Sequence, residues 1–224
     1  MNQIRWGKKK NPLPLESHGA LRLFFVGVGS AFTKTQYQTN LLIVKGGEHL
    51  LVDCGTKCPQ AVWELKRSIT DIRNLLITHS HADHIGGLEE CALMGRYFAR
   101  RKPRMIITPE YEKILWEMSL KGGIAFGELV NGHQLTFPDL FEALRPEPFP
   151  GLSREAWRIN LNGIDLILFR TKHIPDSASS WEDSFFSVGM LIDERVMFTS
   201  DTRFDPDLIL EIEARFRCEA IFHD

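Results

Sequence analysis

The segment His79-Ser80-His81-Ala82-Asp83-His84 sets three imidazoles and a carboxylate side by side, directly after the apolar stretch Leu75-Leu76-Ile77 and just before Gly86-Gly87. Apolar runs of that kind are buried strands, and so dense a polar cluster belongs in a loop at a strand's mouth, where several groups can be aimed at one point. Imidazole nitrogen and carboxylate oxygen together suit Zn²⁺ or a neighbouring first-row metal. The spacing H-x-H-x-D-H favours a metal site over a polar loop in which histidines happen to cluster.

The chain has 224 residues, 43% of them hydrophobic and 25% charged, which is ordinary for a globular protein with a sizeable core. No low-complexity or proline-rich linker divides it, so a single domain is expected. A formal charge of -2 argues against a surface built to track nucleic-acid phosphates. Lys8, Lys9 and Lys10 form one basic cluster and Arg100, Arg101, Lys102 and Arg104 another, and both read as solvated surface. No apolar run is long enough to span a membrane, and Met1 to Ala20 holds lysines and Asn11-Pro12-Leu13-Pro14 in place of a signal segment. The cysteines Cys54, Cys58, Cys91 and Cys218 are scattered and read as reduced and structural, which fits a cytoplasmic protein.

Strands are expected at Leu21 to Val28, Asn40 to Val44, His49 to Val52 and Asn74 to Thr78, with a turn at Gly46-Gly47. Ala61, Val62, Leu65 and Ile69 recur at helical spacing, Gly87 to Ala99 reads as helix, Met105 to Thr108 as strand, and Pro109 opens a helix through Leu120. Lys121 to Gly151, rich in glycine and proline, shows no clear element. Strands return at Trp157 to Leu161, Ile164 to Arg170, Phe185 to Ile192 and Val196 to Thr199, then a capped helix at Asp205 to Arg215 and a short strand at Cys218 to Phe222. Two mixed sheets with helices outside, an α/β four-layer αββα sandwich, would bury so many apolar strands.

Further ligand candidates stand at strand ends downstream, where open α/β sheets place their sites. His173 follows the strand ending at Arg170, and Asp201 follows Val196-Met197-Phe198, where a carboxylate can bridge two cations. With these positions the chain resembles the metallo-β-lactamase superfamily: His79, His81, Asp83 and His84 match its H-x-H-x-D-H signature, His173 its third motif, Asp201 its fourth, and Asp53 its early structural aspartate. Phe25-Val26-Gly27-Val28-Gly29-Ser30-Ala31-Phe32, Tyr37-Gln38-Thr39-Asn40, Ser200-Asp201-Thr202 and Phe222-His223-Asp224 are similar to elements of its ribonuclease Z and cyclic-nucleotide phosphodiesterase branch. His173 is followed by Ile174-Pro175-Asp176-Ser177, unlike the Thr-Pro-Gly-His of the superfamily's thioesterases and lactonases.

That resemblance implies two Zn²⁺ per chain, with Mn²⁺ as a substitute. One would take His79, His81 and His173, the other Asp83 and His84, with Asp201 bridging. It implies a phosphodiesterase acting on a small cyclic nucleotide or short RNA, in which the paired metals activate a water and Asp83 orients it and handles its proton; the leaving group would be protonated by His223 or by a water, His223 otherwise reading as a strand-end histidine paired with Asp224. A homodimer is implied as well. Lys121 to His133 is shorter and less basic than the branch's tRNA-binding arm, which favours the small substrate. The family's last metal-binding histidine lies beyond the element matched by His223, so the second metal's set reads as incomplete at Asp224. More chain, another protomer or His223 itself would fill it. Two competing readings are an ester, thioester or lactam hydrolase using the same metals, and a non-catalytic metal-binding module.

Overall fold

The computed structural model describes residues 11–126 and 129–224, and the Lys8, Lys9, Lys10 cluster lies outside them. Strands β1 (Arg22–Gly27), β2 (Asn40–Lys45), β3 (Glu48–Val52), β4 (Asn74–Leu76) and β5 (Arg104–Ile106) come first. Then follow the short pair β6 (Leu129–Val130) and β7 (His133–Gln134), with β8 (Glu142–Leu144) and β9 (Glu147–Pro148). The last five are β10 (Ala156–Leu161), β11 (Ile164–Arg170), β12 (Val188–Ile192), β13 (Val196–Phe198) and β14 (Ala220–Phe222). Between them lie helices α1 (Cys58–Glu64), α2 (Ala82–Ile85), α3 (Leu88–Met94), α4 (Pro109–Leu115), α5 (Lys121–Ile124), α6 (Phe137–Leu140) and α7 (Pro206–Phe216). The described residues form two compact units, one running up to Met105 and adding Leu115–Ala143, the other made of Ile106–Ile114 and Leu144–Asp224.

The first unit is built on a mixed sheet of order β1-β2-β3-β4-β5-β8. Asn40 to Val44 and His49 to Val52 are buried at every position, so β2 and β3 read as continuous apolar runs because both their faces are covered. Gly46, at φ +60, makes the turn between them. β3 and β4 are parallel, with Leu51 opposite Leu75 and Val52 opposite Leu76, so the two strands end side by side. That register brings Asp53 next to the chain entering the histidine loop.

His49, on β3, is buried and ties the first unit together away from that loop. Its Nδ1 lies 3.2 Å from the Leu15 carbonyl, and its Nε2 accepts a hydrogen bond from the Arg73 amide at 3.0 Å. Only the neutral ring can do both. Burial, reinforced by the Arg73 charge, lowers its pKa below the usual histidine value. A depressed folded-state pKa stabilises the fold fully above the unfolded-state value of about 6.5, and that stability is lost as pH falls below it. The urea midpoint of the wild type should therefore exceed that of His49→Gln at pH 7.5, and the gap should narrow by pH 5.5. A gap constant with pH would contradict this role.

The second unit carries a sheet of order β14-β13-β12-β11-β10-β9. Asn162 at φ 48 and Gly163 at φ 106 form the Asn-Gly turn of the β10–β11 hairpin. Ile167, Phe169, Leu191 and Met197 pack against Leu208 and Ile212 of α7 to make its core. Asp205 starts α7 by accepting from the Leu208 amide at 3.4 Å, and pairs at 2.9 Å with Arg154, both side chains being buried. Removing the carboxylate strands a buried guanidinium, so Asp205→Ala should cost about 3–5 kcal/mol in urea unfolding. A loss under about 1 kcal/mol would show that water reaches Arg154.

Several expected elements are shorter than their sequence patterns, among them the helix from Pro109, whose regular part ends at Leu115. The helix from Gly87 gives way after Met94 to a wider turn, Gly95–Ala99, and stops where Arg100 takes a left-handed φ of 54. The strand expected from Phe185 begins at Val188. The Phe185 amide donates to the Ile174 carbonyl at 2.7 Å, and the Phe186 ring stacks on Tyr111 at 5.0 Å, so these two residues close a loop instead of extending the sheet.

Candidate metal centre

In the first unit the site starts from Asp53, held at a left-handed φ of 65 immediately after β3. Its amide donates to the Leu76 carbonyl at 2.8 Å, and its buried carboxylate faces the following loop. Oδ1 accepts the Thr78 amide at 2.8 Å, the Thr78 hydroxyl lies 3.0 and 2.9 Å from the two oxygens, and Oδ2 accepts from His84 Nδ1 at 2.7 Å. One carboxylate thus grips the loop at its entry and at its last histidine. With Nδ1 protonated toward Asp53, His84 presents Nε2 as its ligand atom.

Backbone contacts lock the same loop from outside. The Cys54 amide donates to the His84 carbonyl and the Gly87 amide to the Cys54 carbonyl, both at 2.8 Å, while Gly55 donates to Asn40 Oδ1 at 3.0 Å. A Cβ on Gly55 would lie 2.0 Å from the Asp83 carbonyl oxygen, so only glycine permits this approach. The His84 and Ile85 amides both donate to the His81 carbonyl at 2.9 Å, which starts the single turn of α2 and swings His84 back toward His79.

The imidazoles consequently meet. His79 Nε2 and His81 Nδ1 are 3.0 Å apart, and the His79 ring centroid lies 4.7 Å from that of His81 and 4.0 Å from that of His84. His79, within each pair, brings a ligand atom to within 4.8 Å of one on His81 and one on His84. Two nitrogens on one tetrahedral zinc lie roughly 3.3 Å apart, so the donors present fit a cation in both chemistry and spacing. Asp83 Oδ2 sits 3.3 Å from His84 Nε2. Burial raises the Asp83 pKa, but when His84 carries a second proton on Nε2 its hydrogen bond and charge outweigh burial and hold the carboxyl below its usual range.

In the second unit, Lys172 and Thr202 stitch the segment carrying His173 to the one carrying Asp201. The Lys172 amide donates to the Thr202 hydroxyl at 3.2 Å, and the Arg203 amide donates to the Lys172 carbonyl at 2.7 Å. Parallel pairing of β13 with β14 sets Phe198 opposite Phe222, which delivers His223 beside Thr199. His223 Nδ1 lies 3.2 Å from the Thr199 hydroxyl, and its buried Nε2 has no hydrogen-bond partner among the described residues.

The loop after His173 holds itself. The Arg203 guanidinium donates to the carbonyls of Asp176 and Ala178, and Asp183 accepts from the amides and hydroxyls of Ser179 and Ser180. Hydrogen bonds from the Ser179 amide first, then from Ser180, hold the Asp183 carboxyl far below its ordinary range. Sequence reasoning did not single out Thr78, Thr199 or Arg203. Thr78 directly precedes the motif, the one signal that could have marked it.

Residues 21–224 match the sequence profile of the family described as Anti-Pycsar protein Apyc1. A relative of that description from Paenibacillus sp. (strain J14) is 33% identical over 206 residues, 92% of this chain and 76% of the relative. One from Bacillus phage BSP38 is 34% identical over 204 residues, 89% of this chain and 74% of the relative. Among solved structures, the metallo-β-lactamase fold protein YhfI from Bacillus subtilis aligns with a TM-score of 0.56 at 15% identity, covering 85% of this chain and 67% of that one. The short form of human tRNase Z aligns with a TM-score of 0.52 at 16% identity, covering 84% and 73%. These likenesses establish the fold as that of the metallo-β-lactamases, in agreement with the motif resemblance.

Asp53 acts on the candidate ligands by orienting His84 and anchoring Thr78, so its effect on metal should be indirect and measurable. Asp53→Asn should weaken zinc binding about 10–100-fold in competition with a chromophoric chelator. Unchanged affinity would show that the histidine loop orders itself.

Proposed function

Since this chain belongs to the anti-Pycsar protein Apyc1 family, we propose that it is a metal-dependent phosphodiesterase that hydrolyses a cyclic nucleotide. Anti-Pycsar proteins degrade cyclic nucleotides. The observation that carries the reading is the pairing of that membership with the compact donor set of His79, His81 and His84, ordered by Asp53. The same membership favours a phosphodiester over the acyl substrates of other metallo-β-lactamase-fold enzymes, and a small cyclic substrate over RNA.

The proposed ligand sets are His79, His81 and His173 for one metal, and Asp83 and His84 for the other, with Asp201 bridging. We take the metals to be zinc, two per chain, in a cytoplasmic homodimer. The cysteines Cys54, Cys58, Cys91 and Cys218, all free, support a reducing compartment. Among the described residues no helix is long and apolar enough to cross a membrane. Bound metals would supply charge neutralisation for the phosphate and a more acidic water.

The residues of the chain handle the protons. In the overall change a water oxygen forms a new P–O bond, the ring ester P–O bond breaks, and one proton passes to the departing oxygen. Asp83, whose carboxylate lies beside His84 Nε2, is assigned acceptance of the proton of the attacking water. His223, fixed through Nδ1 to Thr199, is assigned the donor role through Nε2. Asp53 and Thr78 keep His84 in one tautomer throughout.

Purified protein supplied with Zn²⁺ or Mn²⁺ should convert a nucleoside 3′,5′-cyclic phosphate to the monophosphate, followed by ³¹P NMR, and chelator should abolish the reaction. Asp83→Ala should lower kcat by about 10²–10⁴-fold. Full turnover by Asp83→Ala, or an ester or thioester hydrolysed much faster than any cyclic nucleotide, would reject the reading.

A further inference from the structure

Phe204 stands three residues after Asp201 with 73% of its surface exposed. Isolated exposed aromatics are common on protein surfaces, and Trp63 and Phe98 are others here. Phe204 differs in how its backbone is mounted. On one side, Thr202 and Arg203 bind the Lys172 backbone, and the Arg203 guanidinium grips the carbonyls of Asp176 and Ala178. On the other, buried Asp205 is tied to Arg154 and to the start of α7. Both flanks are thus tied to the surrounding backbone. The chain therefore holds a large apolar ring in water on a fixed support, between a candidate metal ligand and a helix cap. The ring lies 6.2 Å from that of His223 at an angle of 57°.

We propose that Phe204 is the stacking platform for the nucleobase of the cyclic nucleotide, and so a specificity-determining residue of the site; this rests on the phosphodiesterase reading above. A base lies one ribose away from its phosphate, and a three-residue step from Asp201 spans at most about 10 Å. Every base has a flat π-face, so one fixed aromatic face can hold purine or pyrimidine and reject a phosphodiester that has no base. Fixing the support beforehand reduces the ordering cost of binding.

The test compares kcat/KM for a nucleoside 3′,5′-cyclic phosphate with that for the base-free analogue ribose 3′,5′-cyclic phosphate, using metal-loaded wild type, Phe204→Ala and Phe204→Trp. Phe204→Ala should reduce the preference for the nucleotide about five- to hundredfold, through KM, and Phe204→Trp should restore it. A preference unmoved by Phe204→Ala, or a loss that Phe204→Trp does not rescue, would overturn the assignment. Calorimetric binding of a nucleoside 3′,5′-cyclic phosphorothioate to the same proteins separates this idea from the function it builds on. If the wild type turns over neither substrate, the phosphodiesterase reading fails; weaker phosphorothioate binding by Phe204→Ala alone then still supports the platform, and equal or absent binding rejects it.

Discussion

The carboxylate of Asp53 is buried, so its charge must be satisfied by protein donors, and Thr78 and His84 supply them. That requirement couples the end of β3 to both ends of the histidine loop. The Leu76 carbonyl holds the Asp53 amide, the parallel β3–β4 register holds Leu76, and the Cys54 and Gly87 amides clamp the loop's far end. Local order in the histidine loop is thus a consequence of sheet pairing. The left-handed backbone at Asp53 is the strained point, and the carboxylate bonds that surround it are what hold it there.

The second unit solves a similar problem with hydroxyls and guanidinium groups. Thr199 meets His223, Thr202 meets Lys172, and Arg203 spans to the loop after His173. Each segment that carries a candidate ligand leaves a strand end and is at once fastened to another backbone. Candidate side chains mounted in this way are positioned by the fold itself, the condition under which binding energy is kept for reacting geometry.

Much of this was legible in the sequence because the informative residues are close together or sit where a strand stops. His79 to His84 declare themselves by spacing, and Asp53, His173, Asp201 and His223 each follow an apolar run that proved to be a strand. What could not be read were partners fixed by tertiary contact. Thr202 and Arg203 act on backbone groups some thirty and twenty-five residues away, and backbone carbonyls leave no mark in a sequence. Element limits failed for a related reason: Phe186 matches a strand pattern, but stacking on Tyr111 and on the Arg170 guanidinium decides its place. The stretch from Lys121 to Gly151 resisted because α5 and α6 are each a single turn and β6 to β9 only two or three residues long, too short for any periodicity to show.

The chain belongs to the anti-Pycsar protein Apyc1 family, and the arrangement around Asp53 supplies a physical reason for this loop to hold metal. Anomalous diffraction at the zinc edge, from crystals of zinc-loaded protein, tests that reason most directly. A peak about 2.0–2.1 Å from nitrogens of both His79 and His81, with His84 Nδ1 still bonded to Asp53, is the expected result. Zinc bound elsewhere, or His84 turned away from Asp53 in the loaded protein, would contradict it.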